Sequence, residues 1–131
     1  MLSTESLNTL RNYCAQHSII AAAYLFGSRA TGKDRNKSDI DLAVMARQQL
    51  GSMERVEMET ALSNLLGRDV DLIIFDQVSS LLQHQILKYG RLIYEADPSE
   101  RVRQEVFARR AYLDSAFLYR KLNRNPLHGR Q

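Results

Sequence analysis

Apolar residues recur along this chain in two rhythms, one helical and one strand-like, separated by short polar breaks. Leu7, Leu10 and Cys14 fall on one helical face behind Ser3 or Thr4, either of which can cap a first helix. Residues 19–26 form an unbroken apolar run ending at Gly27, which reads as a buried strand. A mainly polar stretch, 29–38, leads into a second strand-like run at 40–45. Met58, Ala61, Leu62, Leu65 and Leu66 follow the i, i+3, i+4, i+7, i+8 spacing of a second helix, with Gly67 as its stop. Residues 70–75 read as a third strand, 79–89 as a helix ended by Gly90, and 92–94 as a short fourth strand. Asp97 caps a last helix whose first position is Pro98, a placement proline favours.

The order α-β-β-α-β-α-β-α predicts an α/β (α+β) fold: a small mixed sheet of about four strands flanked by helices. The second and third strands flank a helix and suit a parallel crossover. At 131 residues the chain can bury one core, with residues 1–97 as the sheet domain and 98–131 as its C-terminal basic helix and tail. The lone Cys14 excludes an intramolecular disulfide and a multi-cysteine zinc site. The N-terminus is not signal-like and no apolar run approaches a membrane helix, so the expected location is the cytoplasm, with no membrane partner. Charge is unevenly spread. From residue 98 onward eight Lys/Arg face three acidic residues, a local +5 within a net +3, which leaves −2 for the remainder. That basic segment suits a solvated helix face, or contact with an acidic partner or RNA. Tyr112 and Tyr119, seven apart on the last helix, can share a face with Ala116 for core or dimer packing, or for docking.

Residues 27–41 carry the chemistry. Gly27 and Ser28 directly follow the first strand, ten residues separate Ser28 from Asp39, and Asp41 follows two places on. Side chains two apart on a strand share a face, so Asp39 and Asp41 project together while Ile40 and Leu42 turn to the core. Carboxylates that close repel unless a cation sits between them, and such hard oxygen ligands suit Mg²⁺. Asp69 and Asp71 share a face of the third strand. Asp71 sits inside the apolar run, where an unpartnered acid is costly, and is the better third carboxylate; Asp69 marks the strand's start. A Gly-Ser turn brings backbone N–H groups and a hydroxyl to an anion, and Arg29, Lys33, Arg35 and Lys37 make the loop cationic. The conjunction points to metal-assisted attack on a phosphate. His17, His84 and His128 are scattered away from these carboxylates, which argues against zinc.

Gly27-Ser28-Arg29-Ala30-Thr31-Gly32, Ser38-Asp39-Ile40-Asp41-Leu42, Val70-Asp71-Leu72 and the stretch 86–95 resemble the polymerase-beta-type nucleotidyltransferase superfamily. Within it the chain is similar to the minimal nucleotidyltransferases (MNT), antitoxin partners of HEPN-domain RNase toxins, over about residues 5–97. The resemblance implies the nucleotidyltransferase fold and Mg²⁺ held by Asp39, Asp41 and Asp71, with Asp71 helping to deprotonate the acceptor. It implies ATP as donor, its phosphates held by Gly27 and Ser28 with Arg29, Lys37 and Ser38 beside them. It implies transfer of AMP to a tyrosine of a cognate HEPN toxin, with no direct nucleic-acid ligand and a homo- or hetero-oligomer with toxin. Transfer to a small molecule or RNA end, or steric inhibition without catalysis, are the rival readings. The small size favours an acceptor delivered by a partner protein.

Overall fold

The computed structural model describes residues 2–27 and 40–124. In chain order these form α1 (Thr4–Ala15), β1 (Ile20–Phe26), β2 (Ile40–Ala46), α2 (Ser52–Leu66), β3 (Val70–Ile74), a 3-10 turn (Phe75–Gln77), α3 (Ser80–Tyr89), β4 (Arg91–Glu95) and α4 (Pro98–Arg124). The strands form one mixed sheet in the order β3-β2-β1-β4, with β1 antiparallel to both β2 and β4. β2 and β3 are parallel, so α2 is the crossover that the pattern predicted.

Local chemistry fixes the helix ends. Ser3 Oγ accepts from the Ser6 N–H at 3.1 Å, Ser79 Oγ from Leu82 at 3.2 Å, and Asp97 Oδ1 from Glu100 at 3.1 Å. Gly67 ends α2 with φ 64°, a left-handed cap that a side chain would strain. Gly90 ends α3 for a different reason. Its φ of −77° is ordinary, but its N–H bonds Ile86 O at 2.7 Å and an added Cβ would overlap the Ile86 carbonyl oxygen and meet that of Leu25 at 3.2 Å.

The two central strands are buried almost throughout, which explains their unbroken apolar runs. On one face α1 and α2 bury Leu7, Leu10, Cys14, Met58 and Leu62 against Leu42, Val44, Leu72 and Ile74. On the other, Ile86 of α3 and Ala108 of α4 pack on Ala22, Tyr24, Ala43, Met45 and Phe75. Burying each large aliphatic side chain contributes about 1.5–3 kcal/mol. Burial pushes the Cys14 thiol up to about 12, so it is an inert core group. Buried amides tie the second layer down: Gln83 Nε2 donates to Phe75 O at 2.7 Å and Gln104 Nε2 to Ala46 O at 2.9 Å.

Some details differ from the pattern. Leu65 is 58% exposed, so α2 packs through Met58 and Leu62, with Ala61 and Leu66 only partly buried. Phe75 leaves β3 for the 3-10 turn, although its side chain remains in the core. Tyr112 stacks on His84 of α3, ring centroids 3.8 Å apart, whereas Tyr119 on the same helix is 68% exposed. Among the described residues no helix is long and apolar enough to cross a membrane.

Candidate active site

Asp41 is the second residue of β2 and Asp71 the second residue of β3. Because these strands are parallel and in register, Ile40 pairs with Val70, Asp41 with Asp71 and Leu42 with Leu72. Ile40, Leu42, Val70 and Leu72 all enter the core beneath α1 and α2. The pleat therefore turns both carboxylates to the opposite face, on strands about 4.8 Å apart. On its other side Asp41 pairs with Phe26, the last residue of β1, immediately before Gly27. Gly27, Asp41 and Asp71 thus converge at one end of the sheet. Asp69 lies just outside β3, where its carbonyl accepts from Ile40 N at 3.1 Å, consistent with a strand-start role.

A cleft of about 260 Å³ opens there, lined by Gly27, Phe26, Asp41, Arg68 and Tyr89 with apolar neighbours Leu2, Leu25 and Ile40. Asp41 is only 5% exposed, while Asp71 is half-buried. No local sequence pattern marks Arg68 and Tyr89 as cleft residues. Arg68 is the cation that follows the helix-stopping Gly67 and precedes β3; Tyr89 is the last residue of α3, held beside β1 by the close approach at Gly90.

The position of Asp71 is set by α2, which covers the free edge of β3. Ser63 Oγ accepts from Val70 N–H at 3.1 Å and Glu59 Oε2 from Leu72 N–H at 2.8 Å. Arg55 donates to Leu72 O at 3.0 Å and pairs with Glu59 at 3.3 Å. Side chains thus satisfy the edge on both sides of Asp71 in place of another strand. A polar network fastens α4 to β1 and β4 away from the cleft. Tyr24 donates to Glu105, and Arg101 bonds both Glu105, at 2.7 Å, and Glu95. Burial acts to raise the Glu105 carboxyl, but hydrogen bonds from Tyr24 and Arg101 prevail and hold it below the usual carboxylate range.

Among the described residues the two in-register carboxylates have no thiolate or imidazole beside them, a hard-oxygen donor set suited to a divalent cation. His17 stacks on Tyr13 and His84 on Tyr112, and His128 lies outside the described residues. Asp39, Ser28, Arg29, Lys37 and Ser38 lie outside the described residues. Among the described residues no cluster of three or more His, Cys, Asp or Glu gathers at one point.

A family model described as polymerase beta, nucleotidyltransferase matches residues 8–99, which include both carboxylates. Protein adenylyltransferase MntA of Shewanella oneidensis is 37% identical over 71 residues, 54% of this chain and 51% of that protein. The match thus spans about half the length of this curated relative. Among solved structures, the fold resembles that in the complex of the tri-AMPylated Shewanella oneidensis HEPN toxin with MNT antitoxin. The TM-score is 0.65 at 22% identity, covering 93% of this chain and 90% of that one. A toxin–antitoxin crystal structure with AMP-PNP gives a TM-score of 0.62 at 25% identity, covering 93% and 90%. With the match running from α1 into the start of α4 and enclosing the Asp41–Asp71 pair, the chain belongs to the polymerase beta nucleotidyltransferase family.

Proposed function

We propose that this chain is an Mg²⁺-dependent protein adenylyltransferase that moves AMP from ATP to a tyrosine of a cognate HEPN RNase toxin and thereby acts as its cytoplasmic antitoxin. The observation that carries the reading is the in-register pair of Asp41 and Asp71 beside Gly27. Support for donor and acceptor comes from the relatives: a protein adenylyltransferase, an AMP-PNP complex and an AMPylated toxin. In this reading Asp41 and Asp71, with Asp39, hold Mg²⁺. Gly27 and Ser28 hold the ATP phosphates, with Arg29, Lys37 and Ser38 beside them. The bound ion supplies charge stabilisation at the phosphoryl oxygens.

The chain's residues divide the remaining work. Buried Asp41 keeps a fixed carboxylate at the floor of the cleft, and Arg68 offsets phosphate charge at its wall. Asp71, the more exposed carboxylate, faces the incoming acceptor and takes its hydroxyl proton. The acceptor oxygen bonds to the α-phosphorus as the bond to the bridging oxygen breaks, and pyrophosphate leaves.

The test is to incubate the purified chain with ATP, Mg²⁺ and the toxin, and to read AMP units on the toxin by intact mass and peptide mapping. AMP on a toxin tyrosine, lost with Asp41→Asn and with Asp71→Asn, is the expected result. Transfer to an aminoglycoside or tRNA with none to the toxin would favour a different acceptor. If the Asp41→Asn, Asp71→Asn double variant neutralises the toxin in cells as fully as wild type, the catalytic reading fails and a steric antitoxin replaces it.

A further inference from the structure

We propose that the distal half of α4 is the docking element for the toxin, inserted as a helix into an apolar groove with an acidic rim; this rests on reading the chain as an antitoxin. The proximal half of α4 is fastened to the sheet through Gln104, Glu105 and Ala108. Beyond Tyr112 the helix loses the body. Of residues 113–123 only Ala116 is even half-buried. Those eleven residues extend about 16 Å.

The composition of this projection is not that of a solvated helix. Leu113, Phe117, Leu118, Tyr119 and Leu122 are between 51% and 68% exposed. Val106, Leu113 and Phe117 align on one side at i, i+7 and i+11, while Phe107, Leu118 and Leu122 align on another at i, i+11 and i+15. Apolar groups on more than one side of a helix call for a partner that surrounds it rather than a flat surface. An isolated helical extension this short is also marginal in water, so packing against a partner is what would hold it.

Charge selects the occupant. Residues 106–124 contain five Lys/Arg and one acid, Asp114. Arg110 and Arg120 border the stripe of Val106, Leu113 and Phe117, as does Arg109, which also pairs with Glu105 at 3.3 Å. Two copies of this chain paired along α4 would bring those like charges within a Debye length of about 8 Å. A groove rimmed by carboxylates buries the same stripe and neutralises its border.

The experiment uses the full chain carrying Leu113→Glu and Phe117→Glu, titrated against an RNase-inactive toxin variant. Thermal melts establish folding, and Asp41→Asn serves as the catalytic control. Expected are at least thirty-fold weaker binding for the double variant, a melting temperature near wild type, and undiminished binding by Asp41→Asn. Affinity within three-fold of wild type overturns the proposal. So does a wild-type chain that is dimeric alone in light scattering and becomes monomeric with the same substitutions. If Asp41→Asn transfers as much AMP as wild type, or neither transfers any, while binding still depends on Leu113 and Phe117, the catalytic reading falls and the docking helix stands.

Discussion

Replacing Gly90 with alanine tests whether close backbone packing, rather than glycine's conformational freedom, fixes the end of α3. A Cβ built at Gly90 overlaps the Ile86 carbonyl oxygen and sits 3.2 Å from Leu25 O. Both obstacles are backbone atoms, so no side chain can swing aside. Relief requires residues 89–91 to move away from the Ile86 carbonyl, which disturbs the pairing of Arg91 with Leu25 across the β1–β4 ladder. The Gly90 N–H bond to Ile86 O is then lost, at about 1 kcal/mol. Overpacking adds about 1–3 kcal/mol, for a total near 2–4 kcal/mol. In a domain of this size that lowers the melting temperature by roughly 10 °C. Urea unfolding of Gly90→Ala beside Gly67→Ala provides the assay. At Gly67 nothing lies within 4 Å of an added Cβ but φ is +64°, so its cost is backbone strain of about 1 kcal/mol. If Gly90→Ala is within 1 kcal/mol of wild type, or costs less than Gly67→Ala, the steric argument is wrong.

Other expectations concern the site and its supports. Asp71→Asn is expected to remove the rise in melting temperature that Mg²⁺ gives wild type, without loss of stability in chelator, because it relieves repulsion with Asp41; an undiminished Mg²⁺ response would exclude Asp71 as a ligand. Glu59→Ala leaves the Leu72 N–H without its acceptor at a partly exposed edge, and is expected to cost about 1–2 kcal/mol in urea unfolding. Because that edge holds Asp71, Glu59→Ala is also expected to lower transfer more than ATP binding, and equal loss of both would argue against positioning. The lowered Glu105 carboxyl gives stability that is fully present above pH 4.5 and is lost as pH falls through its folded value. Glu105→Gln should therefore flatten part of the acid limb of the melting profile, and an identical limb would remove Glu105 from the account. A double-mutant cycle between His84 and Tyr112 should give a coupling of about 0.5–1.5 kcal/mol for their stacked rings.

Where one face of an element decides its fate, the sequence was readable. Leu7, Leu10 and Cys14 announced the buried side of α1, and the unbroken runs of β1 and β2 announced strands covered on both faces. The spacing that placed Asp71 two residues into an apolar run also placed it opposite Asp41, because parallel strands carry matched offsets to the same height. What could not be read required knowledge of partners distant in sequence. Leu65 fits the helical period as well as Leu62, and only the position of the sheet leaves it outside. Arg68 and Tyr89 join the cleft because β3 lies beside β2 and because α3 ends against Leu25, and neither contact leaves a local signature. Gly90 is legible as a stop, but its reason, backbone crowding at an ordinary φ, is invisible without the folded neighbours.

The parallel pairing of β2 and β3 makes the two halves of the chain unequally tolerant of change in length. Residues 47–69, which carry α2, can grow or shrink at a loop-closure cost that rises only with the logarithm of length, provided the helix still covers the edge of β3. A single residue gained or lost between Asp69 and Asp71 is another matter. It exchanges the two faces of β3, sends the carboxylate of Asp71 into the apolar layer under Met58 and Leu62, and brings Leu72 to the face that carries Asp41. Insertions within the crossover should therefore be silent, whereas a one-residue frame error at the strand's entrance should abolish the site while leaving the helices intact.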